Sequence, residues 1–204
     1  FCGKPLIWWT IDKALKSNCL DRLVVSTDDK EIAKIALDAG AEVPFLRPKE
    51  IASDESTTFS VVKHLLEKLP EANKVLTLQP TSPLRRVEDI VGIIEFFESS
   101  KAESIVSLTE VDKHPSWMFS VDHNRKMTPV ISGDIPTSRQ NLSKIYVLNG
   151  ALYIGNKDFY LKEKKMFTDK SLGYIMPKQV SIDIDNELDW KNAEILLKES
   201  INNI

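Results

Sequence analysis

The 204-residue sequence has no long hydrophobic run, no basic excess and no cysteine framework. Each absence closes off a class of function. Its longest apolar runs fall far short of the roughly 20 residues that a membrane-spanning helix needs. Lys and Arg number 27 against 30 Asp and Glu, a net charge of −3, so a nucleic-acid partner has no electrostatic support. Cys2 and Cys19 are the only two thiols, with neither metal-ligand spacing nor a bridging role. Two thiols in a chain of this size suit a reducing compartment, so a cytoplasmic location is expected. The three histidines form no zinc pattern with them; His64 sits in an amphipathic helix and reads as structural. No Gly-x-Gly-x-x-Gly, Walker A or signal-peptide pattern is present, and no Ser-His-Asp set can be argued from spacing.

What remains is ordinary globular composition, 42% apolar and 28% charged. The length suits one domain over residues 1–204. Pro5 opens a helix to about Ser17. Asp21–Ser26 reads as a buried strand. Asp28 and Glu31 have the spacing of a capping pair for a helix from Lys30 to Ala39, which stops at Gly40. Residues 42–45 are extended, and the Val61–Leu69 stripe is helical. Lys74–Leu78 is a strand, Val87–Ser99 a helix, Ser104–Leu108 and Asn149–Ile154 strands. Gly173–Met176 is extended, and Asn186–Ser200 closes the chain as a helix. Between Asp112 and Leu148 periodicity is lost, which predicts a protruding arm. Alternating strands and helices imply a mainly parallel sheet with helices on both faces, and ligands then sit outside the strand C-termini.

Three polar stretches, Thr27–Asp29, Gln79–Arg85 and the Asp183/Asp185 region, fall at or near such ends. In Ser181-Ile182-Asp183-Ile184-Asp185 the alternation reads as a short strand with both carboxylates on one face. Such a pair suits a hard divalent cation, Mg2+ above all, which brings substrate phosphates with it. It also suits a solvated strand end with a helix N-cap at Asp185 or Asn186, the more common reading of such a pair. Gln79-Pro80-Thr81-Ser82-Pro83-Leu84-Arg85 fixes two hydroxyls between prolines beside an amide that donates and accepts. It suits a polyhydroxylated ligand or a base edge, and equally a strand-to-helix turn capped by Thr81 or Ser82. Arg47 and the hydroxyls of residues 53–58 suit phosphate, and also an N-cap cluster with a surface Arg. Arg139 lies in the arm, within reach of a substrate or a partner subunit.

Val24-Val25-Ser26-Thr27-Asp28, Arg47-Pro48, Ala52-Ser53-Asp54, Leu78 to Arg85, Asn149-Gly150-Ala151-Leu152-Tyr153 and Ser181 to Asp185 occur in an order that resembles the acylneuraminate cytidylyltransferases, the CMP-sialic acid synthetases. The resemblance covers essentially the whole chain. It implies a Rossmann-like α/β fold of the nucleotide-diphospho-sugar transferase type with a dimerisation arm at about 112–148. It also implies a homodimer that joins CTP to a nine-carbon 2-keto sugar acid, releasing pyrophosphate. It makes Asp183 and Asp185 the Mg2+ ligands and Arg139 a catalytic or substrate-orienting arginine. Arg47, Ser56, Thr58 and Gln79 become nucleotide contacts. Gln79, Thr81, Ser82, Asn149, Tyr153 and Phe167 become substrate contacts.

The sequence departs from that family twice. Members begin with a strand and a loop rich in Gly, Arg, Ser and Lys that wraps the triphosphate, and Phe1-Cys2-Gly3-Lys4-Pro5 starts after it. Either that loop precedes Phe1, or its loss has left a non-catalytic binding or assembly protein. Val147 stands where the bacterial sialic-acid enzymes often carry Arg, which opens the sugar's identity to a related nonulosonate such as legionaminic acid. A third reading keeps cytidylyl transfer and changes the acceptor to 3-deoxy-manno-octulosonate.

Overall fold

The computed structural model describes residues 1–53, 55–133 and 142–202. Six helices are present among them: α1 (Leu6–Lys16), α2 (Lys30–Asp38), α3 (Thr58–Lys68), α4 (Val87–Ser99), α5 (Lys157–Glu163) and α6 (Glu187–Asn202). The strands are β1 (Lys74–Leu78), β2 (Ser104–Glu110), β3 (Phe119–Val121), β4 (Met127–Pro129), β5 (Tyr146–Asn156) and β6 (Leu172–Ile175). Side-chain oxygens of N-cap residues close three of the six helix starts. Asp29, one residue after the expected Asp28, accepts from the N–H groups of Glu31 and Ile32. Thr57 accepts from the Ser60 N–H, and Asn186 from those of Leu188 and Asp189.

The main sheet has the order β1-β5-β2-β6. β5 is antiparallel to both neighbours, and β2 and β6 are parallel. Three of the four strands therefore run the same way, as expected, but the long antiparallel β5 lies among them and makes the sheet mixed. Leu152 and Ile154 of β5 pack with Ile90, Ile93 and Phe97 of α4 and with Ile105 of β2. On the opposite face, Val75 and Tyr153 meet Val62 and Leu66 of α3 and Phe159 and Tyr160 of α5. Alternation along β5 thus feeds two cores, and helices cover both faces.

Two expected strands are not strands. Residues 23–27 are extended, but their pairing is limited to a parallel bridge between Val24 and Glu42, with hydrogen bonds Val25 N–H to Glu42 O and Glu42 N–H to Leu23 O. Residues 181–185 join no sheet. Ile182 and Ile184 pack with Leu84, Ala193 and Leu197, so their alternation serves α6 rather than a ladder. The arm is more ordered than its sequence suggests. A short 3-10 turn at Pro115–Trp117 leads into the β3–β4 hairpin, a separate two-stranded sheet. β5 takes over at Tyr146.

The α4 face is tightly packed, so Ile105→Ala is expected to lower unfolding free energy by about 2–5 kcal/mol in urea titration. Ile195→Ala, on the exposed side of α6, should change it by no more than about 0.5 kcal/mol.

Candidate active site

The sheet is irregular where β5 passes the end of β1. The β2–β5 register runs Val106–Tyr153 and then jumps to Leu108–Leu148. Residues 149–152 bulge out of the ladder, and side chains replace the missing bonds. Ser107, fully buried, donates to Asn149 Oδ1 at 2.6 Å and accepts from the Leu152 N–H at 2.8 Å. Asn149 Nδ2 donates to Ser181 Oγ at 3.0 Å and approaches Met176 Sδ at 3.3 Å. This network ties the bulge to the loop that carries Asp183.

Arg85 secures the other side. Its side chain is 1% exposed, and Nη2 donates to Gln79 O at 2.7 Å and Ala151 O at 2.8 Å. One guanidinium thus joins the end of β1 to the bulge in β5. Burial pulls its pKa down to about 10, opposed by the nearby charges of Asp89 and Asp183, which leaves it a cation at neutral pH. Ile184 N–H donates to Thr81 O at 2.9 Å and fixes the 183–185 stretch against the same turn.

Three groups converge at the centre. Gly150 has φ +71°, a left-handed conformation that favours glycine. A Cβ there would stand 2.6 Å from Asp183 Oδ2 and 3.0 Å from Gln79 Oε1. Asp183 Oδ1 is buried without a hydrogen-bond partner. Asp183 Oδ2 and Gln79 Oε1 therefore face Gly150, and the other Asp183 carboxylate oxygen has no donor. Such a donor set fits a hard cation, which takes oxygen ligands. Asp185 is exposed, and its N–H donates to Asp189 Oδ2 at 3.2 Å. Among the described residues no group of three or more His, Cys, Asp or Glu side chains could hold a metal. A cation here would rest on two carboxylates at most, with the amide oxygen beside them.

A cleft of about 620 Å3 opens nearby, lined by Thr58, Tyr153 and Phe167 together with Thr57, Lys164 and Lys165. Burial raises the Tyr153 phenol pKa, and the charge of Asp183 adds to the rise, which links the cleft electrostatically to the carboxylate. Ser56 lies in the loop before α3, with its hydroxyl 3.1 Å from that of Ser53. Arg47 is anchored to the backbone of residues 26 and 27. Its N–H donates to Thr27 O at 2.8 Å, its Nη2 donates to Ser26 O, and its buried Nε has no partner.

Two of the expected substrate contacts are buried in this structure. Ser82 is fully buried, with its hydroxyl beneath the turn. The Asn149 amide is spent on Ser107, Ser181 and Met176. Both lie behind the site and shape it. Neither Thr81 nor Ser82 caps α4, which starts at Val87 with Asp89 accepting from the Arg86 N–H at 2.9 Å. Arg139 lies outside the described residues. Sequence reasoning assigned no role to Gly150 or Arg85, although both stand inside quoted motifs, and passed over Ser107, Lys164 and Lys165. A buried arginine leaves no periodic signature, and the register shift that Ser107 fills is invisible before the strands are paired.

The fold is that of nucleotidyltransferases. Superposition on a CMP:2-keto-3-deoxy-manno-octonic acid synthetase complexed with CTP gives a TM-score of 0.71 over 97% of this chain and 89% of that one, at 13% identity. A 4-diphosphocytidyl-2C-methyl-D-erythritol synthase from Anaerococcus prevotii gives 0.64 over 95% and 90%, at 16% identity. The chain belongs to the cytidylyltransferase family, whose model matches residues 1–201. An N-acylneuraminate cytidylyltransferase of Streptococcus agalactiae is 35% identical over 190 residues, 92% of this chain but 46% of the relative. The chain thus spans about half the length of that enzyme. A CMP-N,N'-diacetyllegionaminic acid synthase of Legionella pneumophila is 36% identical over 96% of this chain and 86% of its own. A pseudaminic acid cytidylyltransferase of Campylobacter jejuni is 31% identical over 97% and 87%.

Gly150→Ala is expected to cost roughly 2–4 kcal/mol, because left-handed strain adds to overlap with the Asp183 carboxylate. Gly3→Ala, with φ +77° and no heavy atom within 4 Å of the new Cβ, should cost only the strain, about 1–2 kcal/mol. Paired thermal melts check the difference.

Proposed function

We propose that this chain carries the catalytic site of an enzyme that joins CTP to a nonulosonic 2-keto sugar acid, giving a CMP-sugar and pyrophosphate. The observation that carries the reading is the meeting of Gln79, Gly150 and Asp183 at the end of β1, with an unpartnered Asp183 oxygen. Family membership supplies the reaction class. Relatives named for sialic, legionaminic and pseudaminic acids favour a nonulosonate acceptor. The octulosonate alternative rests on likeness of fold at 13% identity.

In the reaction, the anomeric C2 hydroxyl oxygen of the sugar acid forms a bond to the α-phosphorus of CTP. The bond from the α-phosphorus to the oxygen it shares with the β-phosphate breaks, pyrophosphate leaves in line, and the hydroxyl proton passes to solvent water. Such a transfer is driven by positioning and by charge neutralisation. Asp183 and Asp185 would hold Mg2+, with the Gln79 amide oxygen beside Asp183. When bound, the ion supplies positive charge to the phosphate oxygens. Gln79 orients substrate at the cleft, and Arg139 from the arm orients the acceptor. Arg85 and Asn149 hold the turn and the bulge in register so that Gln79 and Asp183 face the same spot. Tyr153 and Phe167 give the sugar an aromatic wall, and Thr58 and Arg47 serve the nucleotide.

The working unit in this reading is a homodimer. Met118, Val121, Met127, Val130 and Ile131 are exposed on and around the arm hairpin. Apolar side chains clustered in this way are costly to leave in water and suit a self-complementary interface. Free thiols at Cys2 and Cys19 agree with a reducing, cytoplasmic setting. Among the described residues no helix is long and apolar enough to cross a membrane.

Pyrophosphate release by the full chain, with CTP and a panel of sugar acids, tests the reaction and also the non-catalytic alternative. Turnover with a nine-carbon acid is expected, and silence across the panel would sink the assignment. Asp183→Asn should lower kcat on the order of 100-fold or more at saturating Mg2+, the scale of losing a principal electrostatic element. Near-normal turnover would overturn its role. Light scattering should report a dimer for the parent chain and a monomer for Val121→Glu combined with Met127→Glu.

A further inference from the structure

The protein's own charges around Asp183 nearly cancel. Arg85 is a full cation inside the protein, 1% exposed. Its Nη2 is committed to Gln79 O at 2.7 Å and to Ala151 O at 2.8 Å, which fastens the guanidinium to the two backbone segments that bring Gln79 and Gly150 to the site. Two carboxylates act on its charge, Asp89 and Asp183. Asp89 is already matched. It pairs with Arg86 Nη2 at 2.8 Å and accepts from the Arg86 N–H at 2.9 Å and from Nε at 3.0 Å. Asp183 is the carboxylate left to answer the charge of Arg85.

Asp183 answers it through space. Asp183 Oδ1 and Arg85 Nε are both buried without hydrogen-bond partners. The carboxylate is thus offset in charge yet open in coordination. Gln79 Oε1, which faces Gly150 with it, is neutral. Asp185 is exposed, where water and salt screen its charge. Among the described residues no group of three acids forms that could cage a metal. A divalent ion placed here alone brings two positive charges to a site close to neutral, and Arg85 repels it across a medium that screens poorly. Mg2+ also gives up its waters reluctantly and is usually held by one or two carboxylates together with substrate phosphates. A nucleoside triphosphate removes the deficit, because its phosphate oxygens carry several negative charges in with the ion.

We propose that Arg85 sets the order of loading: its fixed charge keeps a free divalent cation off Asp183, so the ion is held only together with a nucleoside triphosphate. The inference rests on the reading of Asp183 and Asp185 as the Mg2+ ligands. It gives the buried arginine a second duty beside that of joining the turn to the bulge. The two duties separate by chemistry, since the first needs the hydrogen-bond donors of the guanidinium and the second needs only its charge.

Calorimetric titration of the full chain tests this without turnover. Mg2+ added to the nucleotide-free parent should bind at millimolar strength or more weakly. A CTP analogue with a methylene bridge between the α- and β-phosphorus, which cannot be cleaved there, should bind on the order of ten-fold more tightly with Mg2+ than with chelator. Arg85→Met should tighten the binding of Mg2+ alone about ten-fold or more. Arg85→Lys loses the planar fork but keeps the charge, and should leave Mg2+ alone as weakly bound as in the parent. Thermal melts establish that each variant is folded at the titration temperature. Gln79→Glu reaches the same balance from the other side: it adds a negative charge beside Asp183 at unchanged size, and it too should tighten Mg2+ alone about ten-fold. Tight Mg2+ binding by the nucleotide-free parent overturns the inference. Unchanged Mg2+ affinity in a folded Arg85→Met chain overturns it as well, and where that variant does not fold, unchanged affinity in Gln79→Glu does so. An analogue that binds equally with Mg2+ and with chelator defeats the reading of Asp183 as a metal ligand, and the inference falls with it. A parent chain that binds no analogue under either condition defeats the proposed reaction itself.

Discussion

The buried guanidinium of Arg85 is the constraint on which the site depends. It has left water almost completely, and its two hydrogen bonds go to backbone carbonyls on different strands, Gln79 O and Ala151 O. A cation in that position is costly unless its donors are used and opposite charge is near. Asp89 and Asp183 provide the charge. The turn after β1 and the bulge in β5 provide acceptors for Nη2, while the buried Nε has no partner. Each partner is thereby held in place: the Gln79 side chain at the end of its strand, Gly150 next to Ala151, and Asp183 across from both.

A second network backs the first without touching the cleft. Ser107 fills the register shift between β2 and β5, and Asn149 passes the connection to Ser181. The loop before α6 is pinned at two points, by Asn149 on Ser181 and by the Ile184 N–H on Thr81 O. Asp183 sits between those pins. A short irregular segment thus gains the precision of a strand without joining a sheet, since the groups on either side of it are fixed by rigid elements.

Much of this frame was legible from sequence. β1 and α4 occupy the spans that hydrophobic spacing assigns them, because each is a simple amphipathic unit with clear punctuation. The Ile182–Asp185 alternation was misleading for a physical reason. Period-two burial requires only that alternate residues face something apolar, and here that surface is α6 rather than a neighbouring strand. α5 escaped notice because seven residues give too little periodicity to register. The motif around Gln79 was visible, but which members face the cleft was not. Ser82 and Asn149 look like ligand-facing polar groups in a string of letters, and only packing reveals that their polar atoms point into the protein.

The antiparallel β5 imposes an order of events on assembly. Among the described residues β1 pairs with β5, and β2 finds its partners in β5 and β6. Among the described residues, neither β1 nor β2 meets its paired strand until the chain has been made past residue 146. Contacts across such sequence separations carry a loop-closure cost before they return any stabilisation, so they form late. The α1, α3 and α4 helices are therefore made before β5 reaches β1 and β2. When β5 inserts, it completes the sheet and delivers Gly150 to Gln79 in one movement. Asp183, still further along the chain, then closes on a surface that did not exist a few dozen residues earlier.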